Sequence, residues 1–157
     1  MSQLWIVWMI GSLVFSACGA REDAGRSASA APAAEERIEV LVPALVDAIQ
    51  TKQPVFVMSH VDTRFKEERG LDYFDVRSLV ETSAFRKEDV GARLESLAIT
   101  PVDADRRRVE ARVTFALGQR IAAGSPPPAG SVTYALDLVF EKHDAVWQAV
   151  GGSYRRE

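Results

Sequence analysis

Hydrophobic residues follow three different patterns in succession along this chain. Residues 4–15 form an apolar run of 12 residues, interrupted by a single hydroxyl side chain. From Ile38 onward apolar residues recur at the spacing of helical turns, and from Val90 onward they alternate with polar residues. This order predicts a membrane-directed segment, then helices, then antiparallel strands that are covered on one face.

Residues 35–53 are predicted to form the first helix of a folded domain. Pro43 removes one backbone hydrogen bond, so we expect either a kink there or a later start of the helix. Residues 53–60 are predicted to form a second, short helix that buries residues 55–58, although four consecutive apolar residues also suit a strand. The apolar stripe of the first helix comprises Ile38, Leu41, Val42, Leu45 and Ile49.

A third helix is predicted over residues 72–86. Asp72 can cap its N-terminus, and Asp75 stands three positions later. Residues 62–70, which precede it, are mostly charged and end in a glycine, so we expect a charged surface segment there. The apolar stripe of the third helix comprises Val76, Leu79 and Val80.

The alternating pattern predicts four strands, over residues 90–100, 109–117, 132–140 and 146–154. In the first of them the alternation shifts by one residue, which predicts a β-bulge near residues 95–96. Trp147, in the last strand, is expected in the core. The inward residues of the second and third strands are Val109, Ala111, Val113, Phe115 and Leu117, and Val132, Tyr134, Leu136, Leu138 and Phe140.

The connection over residues 118–130 contains three consecutive prolines, which cannot donate hydrogen bonds to a strand ladder. We therefore expect this loop to stand away from the sheet. If Leu117 pairs with Val132 across the loop, Arg112 lies opposite Asp137 on the outward face. The two side chains would then form a cross-strand ion pair.

Charge and composition exclude several kinds of function. The chain has 19 basic and 22 acidic side chains and a net charge of −3, so it lacks the basic excess that nucleic-acid binding requires. A single cysteine excludes an intramolecular disulfide. The two histidines, His60 and His143, are far apart in sequence, and His143 is expected in a solvated turn. Neither a metal site nor a cofactor is predicted.

The N-terminal apolar run best fits an export signal. Every charged residue of the chain lies at or after Arg21. The run has the length of a signal-peptide core, roughly 7–15 residues, whereas a spanning helix needs about 20. Ser16 and Ala17 supply the small residues of a cleavage site, and cleavage there makes Cys18 the new N-terminus. An uncleaved anchor over residues 4–20 and an ordinary signal peptide are the alternatives.

The sequence FSAC at residues 15–18 resembles the lipobox of bacterial lipoproteins. The resemblance implies that the Cys18 thiol receives a diacylglyceryl group, that residues 1–17 are removed, and that the new amine is acylated. Gly19 implies sorting to the outer membrane, facing the periplasm. Residues 18–34, rich in alanine, serine and glycine, are expected to be a disordered tether. Residues 35–157 are then a single domain that the acyl chains hold at the membrane.

Three stretches of this domain, RGLDYFDVRSLVETSAF, RLESLAIT and DAVWQAVGGSYRR, resemble the nuclear-transport-factor-2-like superfamily. The order of helices and strands does so as well. The resemblance implies a cone in which a curved sheet wraps a long first helix. The predicted fold class is therefore α+β, with N-terminal helices packed on a curved four-stranded antiparallel sheet.

The enzymes of this superfamily are isomerases, dehydratases and cyclases that use an Asp/His or Asp/Tyr pair inside the cone. Such chemistry needs a carboxyl group whose pKa is raised in an apolar cavity. The inward strand positions are apolar except for Tyr134, while His60 and Asp62 would lie near the mouth of the cone. These three are the predicted polar residues of a pocket, with a packed helix-end histidine as the alternative for His60. No catalytic residue is predicted.

Three functions are compatible with these observations. We expect first a lipid-anchored envelope protein whose non-catalytic domain binds a protein partner or a small apolar ligand. The first alternative is an enzyme of the isomerase or dehydratase type with a pocket in the cone. The second is an assembly subunit that forms a homodimer through the outer sheet face. Small residues that would permit close approach there are Thr114, Ala116, Ala135 and Val139.

Cys18→Ser should abolish lipid attachment. The parent protein is expected to carry the added mass of its acyl chains and to fractionate with membranes, because each buried CH₂ group contributes about 0.8 kcal/mol. The variant should lack the mass increment and leave the membrane fraction. Identical masses, processing and fractionation of the two proteins would contradict the lipobox.

Overall fold

A helical stripe and the inward residues of several strands meet in the core of this α+β domain. The computed structural model describes residues 37–82 and 88–157. Within these residues it contains three helices and five strands. In chain order they are α1 (Ile38–Gln50), α2 (Pro54–Ser59), β1 (Val61–Glu67), α3 (Tyr73–Glu81), β2 (Val90–Pro101), β3 (Arg106–Leu117), β4 (Val132–His143) and β5 (Val146–Arg156).

Helix α1 supplies the helical side of the core. Ile38 and Leu41 are each 2% exposed, and Val42 and Val46 are buried beside them. The helix begins at Ile38, later than the first residue of the predicted segment, and Pro43 lies inside it. The later start does not take Pro43 out of the helix, because it is still the sixth residue of α1.

Helix α2 forms where the sequence is compatible with either a helix or a strand. Pro54 lies in its first turn, where a missing backbone donor is tolerated. The predicted burial of residues 55–58 is wrong at Val55, which is 82% exposed. So short a helix turns only one side to the core, and Phe56 packs there.

Leu79 of α3 is likewise exposed, contrary to its predicted place in the apolar stripe.

Helix α3 begins with the predicted cap. The Asp72 carboxylate accepts hydrogen bonds from the backbone N–H groups of Phe74 (2.8 Å) and Asp75 (3.1 Å). The Asp75 carboxylate in turn accepts one from the backbone N–H of Asp72 (3.1 Å). This reciprocal capping box satisfies donors that would otherwise be unpaired at the start of the helix. Residues 83–86 of the predicted helix lie outside the described residues.

The described part of the sheet has five strands in the order β1-β5-β4-β3-β2. Strand β1 runs parallel to β5, and all other neighbours are antiparallel. The four predicted strands are β2 to β5. The fifth, β1, lies where a charged surface segment is predicted, and that prediction is wrong. Asp62, Phe65 and Glu67 of this strand are buried, and because two of them are acidic, the hydrophobic pattern does not reveal the strand.

The bulge predicted in β2 is confirmed. Its pairing with β3 shifts between Leu94 and Ser96, so Glu95 has no partner in the ladder. In β3 the predicted alternation is also confirmed at Val109 and Val113, which are each 1% exposed.

Strands β3 and β4 pair two residues away from the predicted register. Phe115 lies opposite Val132, and Arg112 therefore lies opposite Ala135 instead of Asp137. The predicted ion pair between Arg112 and Asp137 is wrong. The shift of two nevertheless keeps each side chain on its predicted face, because side chains alternate with a period of two.

The proline-rich loop folds onto the domain, contrary to the prediction that it stands away. Ile121 is 5% exposed. Gln50, at the end of α1, accepts hydrogen bonds from the backbone N–H groups of Ile121 and Ala92, both 3.2 Å long. The loop also lies so close to β2 that a Cβ atom at Gly91 would be 2.7 Å from the Gln119 carbonyl oxygen.

This loop changes which side of β3 is buried near the end of the strand. Ala116 lies opposite Gly91, next to the loop, and is 2% exposed. Leu117 is 70% exposed, so its predicted inward position is wrong. The loop thus also covers one of the small residues expected on a free outer face.

The far end of the core is formed by β4 and β5. Trp147 is 5% exposed, as predicted, and belongs to the same cluster as Phe140 and Ala149. None of the helices in the described residues is long and apolar enough to cross a membrane.

Two glycines let β5 lie unusually close to both neighbouring strands. A Cβ atom at Gly151 would be 2.8 Å from the Lys66 carbonyl oxygen of β1, and one at Gly152 would be 2.2 Å from the Asp137 carbonyl oxygen of β4. Gly152 also has a φ of 153°, which side-chain-bearing residues rarely adopt. At these two adjacent glycines, β1 and β4 therefore approach β5 closely from opposite sides.

Gly152→Ala should destabilise the domain by about 2–5 kcal/mol, because the new methyl group would overlap a backbone oxygen and add backbone strain. Gly130→Ala is the matched control, since Gly130 has a φ of 85° but nothing within 4 Å of a Cβ position. It should cost about 1–2 kcal/mol from strain alone. Urea unfolding measures both losses, and equal values would contradict the close contact at Gly152.

Candidate functional site

His60 ends α2 and is only 6% exposed. Its Nδ1 atom donates a hydrogen bond to the Phe56 carbonyl oxygen (2.9 Å) and lies 3.1 Å from the Ser59 hydroxyl. The His60 and Phe56 rings are 4.7 Å apart between centroids, and the His60 carbonyl accepts a hydrogen bond from Ala149 of β5. These contacts place His60 at the junction of α2 and the sheet.

Asp62 is buried at the start of β1 and is held by one arginine. The Arg64 backbone N–H and guanidinium donate three hydrogen bonds to the carboxylate, at 2.7, 3.0 and 2.9 Å. The Arg64 side chain therefore lowers the pKa of Asp62 to about 2, against the opposing effect of burial. Asp62 is thus ionised at neutral pH.

His143 contacts the same group of side chains instead of standing free in a turn. Its Nε2 atom lies 3.5 Å from Asp62 Oδ2 and 3.2 Å from Glu141 Oε1. Arg64 Nη2 lies 3.1 Å from the same ring nitrogen. We call these four residues the Asp62 cluster. Within residues 37–82 and 88–157, no set of three or more His, Cys, Asp or Glu side chains is placed so that it could hold a metal ion.

Tyr134 is not brought to this cluster. It lies on β4 six residues before Phe140. Phe140 pairs with Ala149, whose backbone N–H donates a hydrogen bond to the His60 carbonyl oxygen. At about 3.3 Å per residue, this separation is about 20 Å. Tyr134 instead packs edge-on against Phe115 and Tyr154, with ring centroids 6.0 Å apart in each case.

Glu67 is a buried carboxylate that the sequence analysis misses. It is 6% exposed, and its Oε2 atom accepts a hydrogen bond from the backbone N–H of Arg69 (2.8 Å). Its Oε1 atom is buried and has no hydrogen-bond partner among the described residues. In the structure Phe65 and Glu67 are buried and Lys66 between them is exposed, which is the alternation typical of a strand.

A groove of about 540 Å³ lies across the middle of the sheet. Ala111 of β3 and Leu136 of β4 turn toward the core. Because side chains alternate along a strand, the residues next to each of them point to the opposite side of the sheet, here called the outer face. Glu68, Arg69 and Tyr154 border the groove at the edge near β1. The groove residues that alternate onto the outer face are Ser96, Ala98, Glu110, Arg112, Ala135, Asp137, Ser153, Arg155 and Glu157.

Two ion pairs lie along this groove, and Asp137, Arg112 and Glu157 of these pairs are among its lining residues. Arg108 Nε donates to Asp137 Oδ1 at 2.9 Å, and the second guanidinium nitrogen bonds the other oxygen. This pairing lowers the pKa of Asp137 below its ordinary value. Arg112 Nε donates to Glu157 Oε2, also at 2.9 Å. Between these pairs the floor carries the small side chains of Ala98 and Ala135.

No family model matches this sequence, and no curated protein does either. Solved structures do match the fold. An NTF2-like protein with a cystatin-like fold from Novosphingobium aromaticivorans gives a TM-score of 0.56 at 14% identity, over 74% of this chain and 77% of the other. A cystatin-like-fold protein of unknown function from Nostoc punctiforme gives 0.54 at 10% identity, over 76% and 88%.

A hexachlorocyclohexane dehydrochlorinase, LinA-type3, from Novosphingobium barchaimii gives a TM-score of 0.56 at 15% identity, over 76% of this chain and 84% of the other. At such identities the likeness concerns the fold alone. The domain has the nuclear-transport-factor-2-like, cystatin-like fold, as its sequence predicts, with five strands where four are predicted.

The low pKa of Asp62 should make stability depend on pH. The unfolded carboxyl titrates near 3.8 and the folded one near 2, so ionised Asp62 stabilises the fold above about pH 4, and this contribution is lost as pH falls toward 2. The stability gap between wild type and Asp62→Asn should therefore narrow by on the order of 2 kcal/mol over that range.

Urea unfolding at a series of pH values from 6 toward 2 measures this gap. Asp47→Asn, at an exposed position of α1, corrects for the general effect of removing one negative charge. A gap for Asp62→Asn that stays constant over the whole series would contradict its pairing with Arg64.

Proposed function

We propose that this chain is a lipid-anchored protein of the bacterial envelope whose domain binds a protein partner through the outer-face groove, without catalysis. Cys18 carries the acyl chains, residues 18–34 form the tether, and the protein sits at the outer membrane facing the periplasm. The observation that carries the binding role is the groove itself, with its ion pairs and its floor of small residues.

The chemistry of these ion pairs favours a protein over a small apolar ligand. The volume of about 540 Å³ is within the range of small-molecule sites, roughly 300–1,000 Å³. An apolar occupant, however, would desolvate the Arg108–Asp137 and Arg112–Glu157 pairs without replacing their contacts with water, which is costly. A protein surface with side chains of both charges can form hydrogen bonds with these pairs and still cover the alanine floor.

Pairing with an arginine argues against proton transfer at two carboxylates, Asp62 and Asp137. A general base works best when its pKa lies near the operating pH. The pKa of Asp62 is about 2 and that of Asp137 is also lowered, each by a neighbouring arginine. Tyr134 lies about 20 Å along the sheet from the level of His60. The dehydrochlorinase among the solved neighbours is related in fold only, and fold alone does not transfer an activity.

A photo-crosslinking amino acid at Ala98 should capture the partner in intact cells. Ala98 is an exposed residue of β2 that borders the groove, so a bound protein would lie within reach of it. The matched control is Leu117, which is 70% exposed on β3 and outside the groove. We expect a discrete adduct from position 98 and none from position 117, detected by mass on denaturing gels.

Two outcomes would overturn this proposal. The first is that no adduct forms at position 98, and the second is that the two positions give the same adducts. An adduct of twice the chain mass would identify a second copy as the occupant and would favour the assembly alternative. In the position-98 protein, Arg112→Ala should weaken capture, since it removes the guanidinium that Glu157 pairs with.

A further inference from the structure

We propose that Arg155 binds a carboxylate side chain of the protein that occupies the outer-face groove. The guanidinium holds this carboxylate beside Ala135 of β4. This inference rests on the proposed function, because it names the chemistry by which that partner is recognised. It requires an aspartate or a glutamate in the partner segment that lies in the groove.

The strand register places Arg155 beside a small residue of the groove floor. Arg155 lies opposite Ala135 of β4, and Ala135 lies opposite Arg112 of β3. The three residues form one row across the outer face, in which the two arginines stand two strands apart, about 10 Å at the backbone. All three line the groove, and the alanine between the arginines has only a methyl group. A carboxylate of a bound protein can therefore reach the Arg155 guanidinium from this side.

Arg155 differs from the two neighbouring arginines of the outer face, since within the described residues it forms no ion pair. The groove carboxylates on β4 and at the end of β5 are Asp137 and Glu157. Asp137 is held by Arg108, and Glu157 is held by Arg112. The carboxylates nearest to Arg155 along these strands are thus already paired, and Arg155 keeps its hydrogen-bond donors for a group from outside.

An unpaired guanidinium in a groove that a protein covers selects for a negative charge. An apolar surface over Arg155 would remove its hydration without replacing the lost hydrogen bonds, and a second cation would repel it. A carboxylate accepts two parallel N–H groups from the planar guanidinium. A phosphate group suits the site less well, because its charge of nearly −2 would face the carboxylates of Asp137 and Glu157 nearby.

The test is crosslinking from position 98 in intact cells, with and without a charge reversal at Arg155. Ala98 lies on β2, three strands from β5 or about 14 Å, so a partner that contacts both positions must cross the groove. Arg155→Glu should lower the adduct yield at least about tenfold, because it places two negative charges together. Arg155→Gln removes only the positive charge and should lower the yield several-fold, and it provides the test should Arg155→Glu fail to fold.

Arg156→Glu is the matched control, because it makes the same charge change at the next exposed residue. Arg156 lies opposite Tyr134, on the other face from Ala135, and does not line the groove. Its adduct yield should equal that of wild type. The urea midpoints of the two Glu variants should agree, which separates a loss of binding from a loss of folding.

Mass spectrometry of the adduct identifies the captured segment of the partner. Replacing the acidic residue of that segment with arginine should restore capture by Arg155→Glu. The inference is overturned, with the proposed function intact, if wild type forms the adduct and Arg155→Glu forms as much. It is overturned in the same way if Arg156→Glu loses the adduct equally, or if no charge reversal in the segment restores capture. Absence of any adduct in wild type counts against the proposed function itself, and this inference falls with it.

Discussion

The close packing of β5 against both of its neighbours is the constraint on which the rest of this domain depends. At Gly151 and Gly152 the strand leaves no room for a side chain, because the Lys66 oxygen lies on one side and the Asp137 oxygen on the other. The parallel strand β1 pairs with β5 at these two glycines, Lys66 with Gly151 and Glu67 with Gly152. Without β1, neither the Asp62 cluster nor the buried Glu67 carboxylate would be formed.

The two faces of the sheet use charge in different ways. On the outer face carboxylates are paired with arginines, as in Arg108–Asp137 and Arg112–Glu157. On the core side Glu67 is buried with one oxygen unpaired among the described residues. Paired charges on an exposed face suit recognition of a protein surface.

Local patterns predict most of this fold, because local interactions fix most of its elements. The Asp72 cap and the bulge at Glu95 follow from spacing alone. The strand containing Asp62 and Glu67 could not be predicted in the same way, since two of its three buried residues are acidic and its partner strand is distant in sequence. The exposed position of Leu117 depends on where the proline-rich loop packs, which no pattern of neighbouring residues specifies. The groove also depends on the register of four strands.

The two hydrogen bonds accepted by Gln50 join three segments that are far apart in the chain. One amide oxygen holds both Ala92, at the start of β2, and Ile121, in the proline-rich loop. Loss of this one side chain would therefore remove a hydrogen bond from the loop and another from the edge strand at the same time. The end of α1 is coupled to both segments through a single amide group.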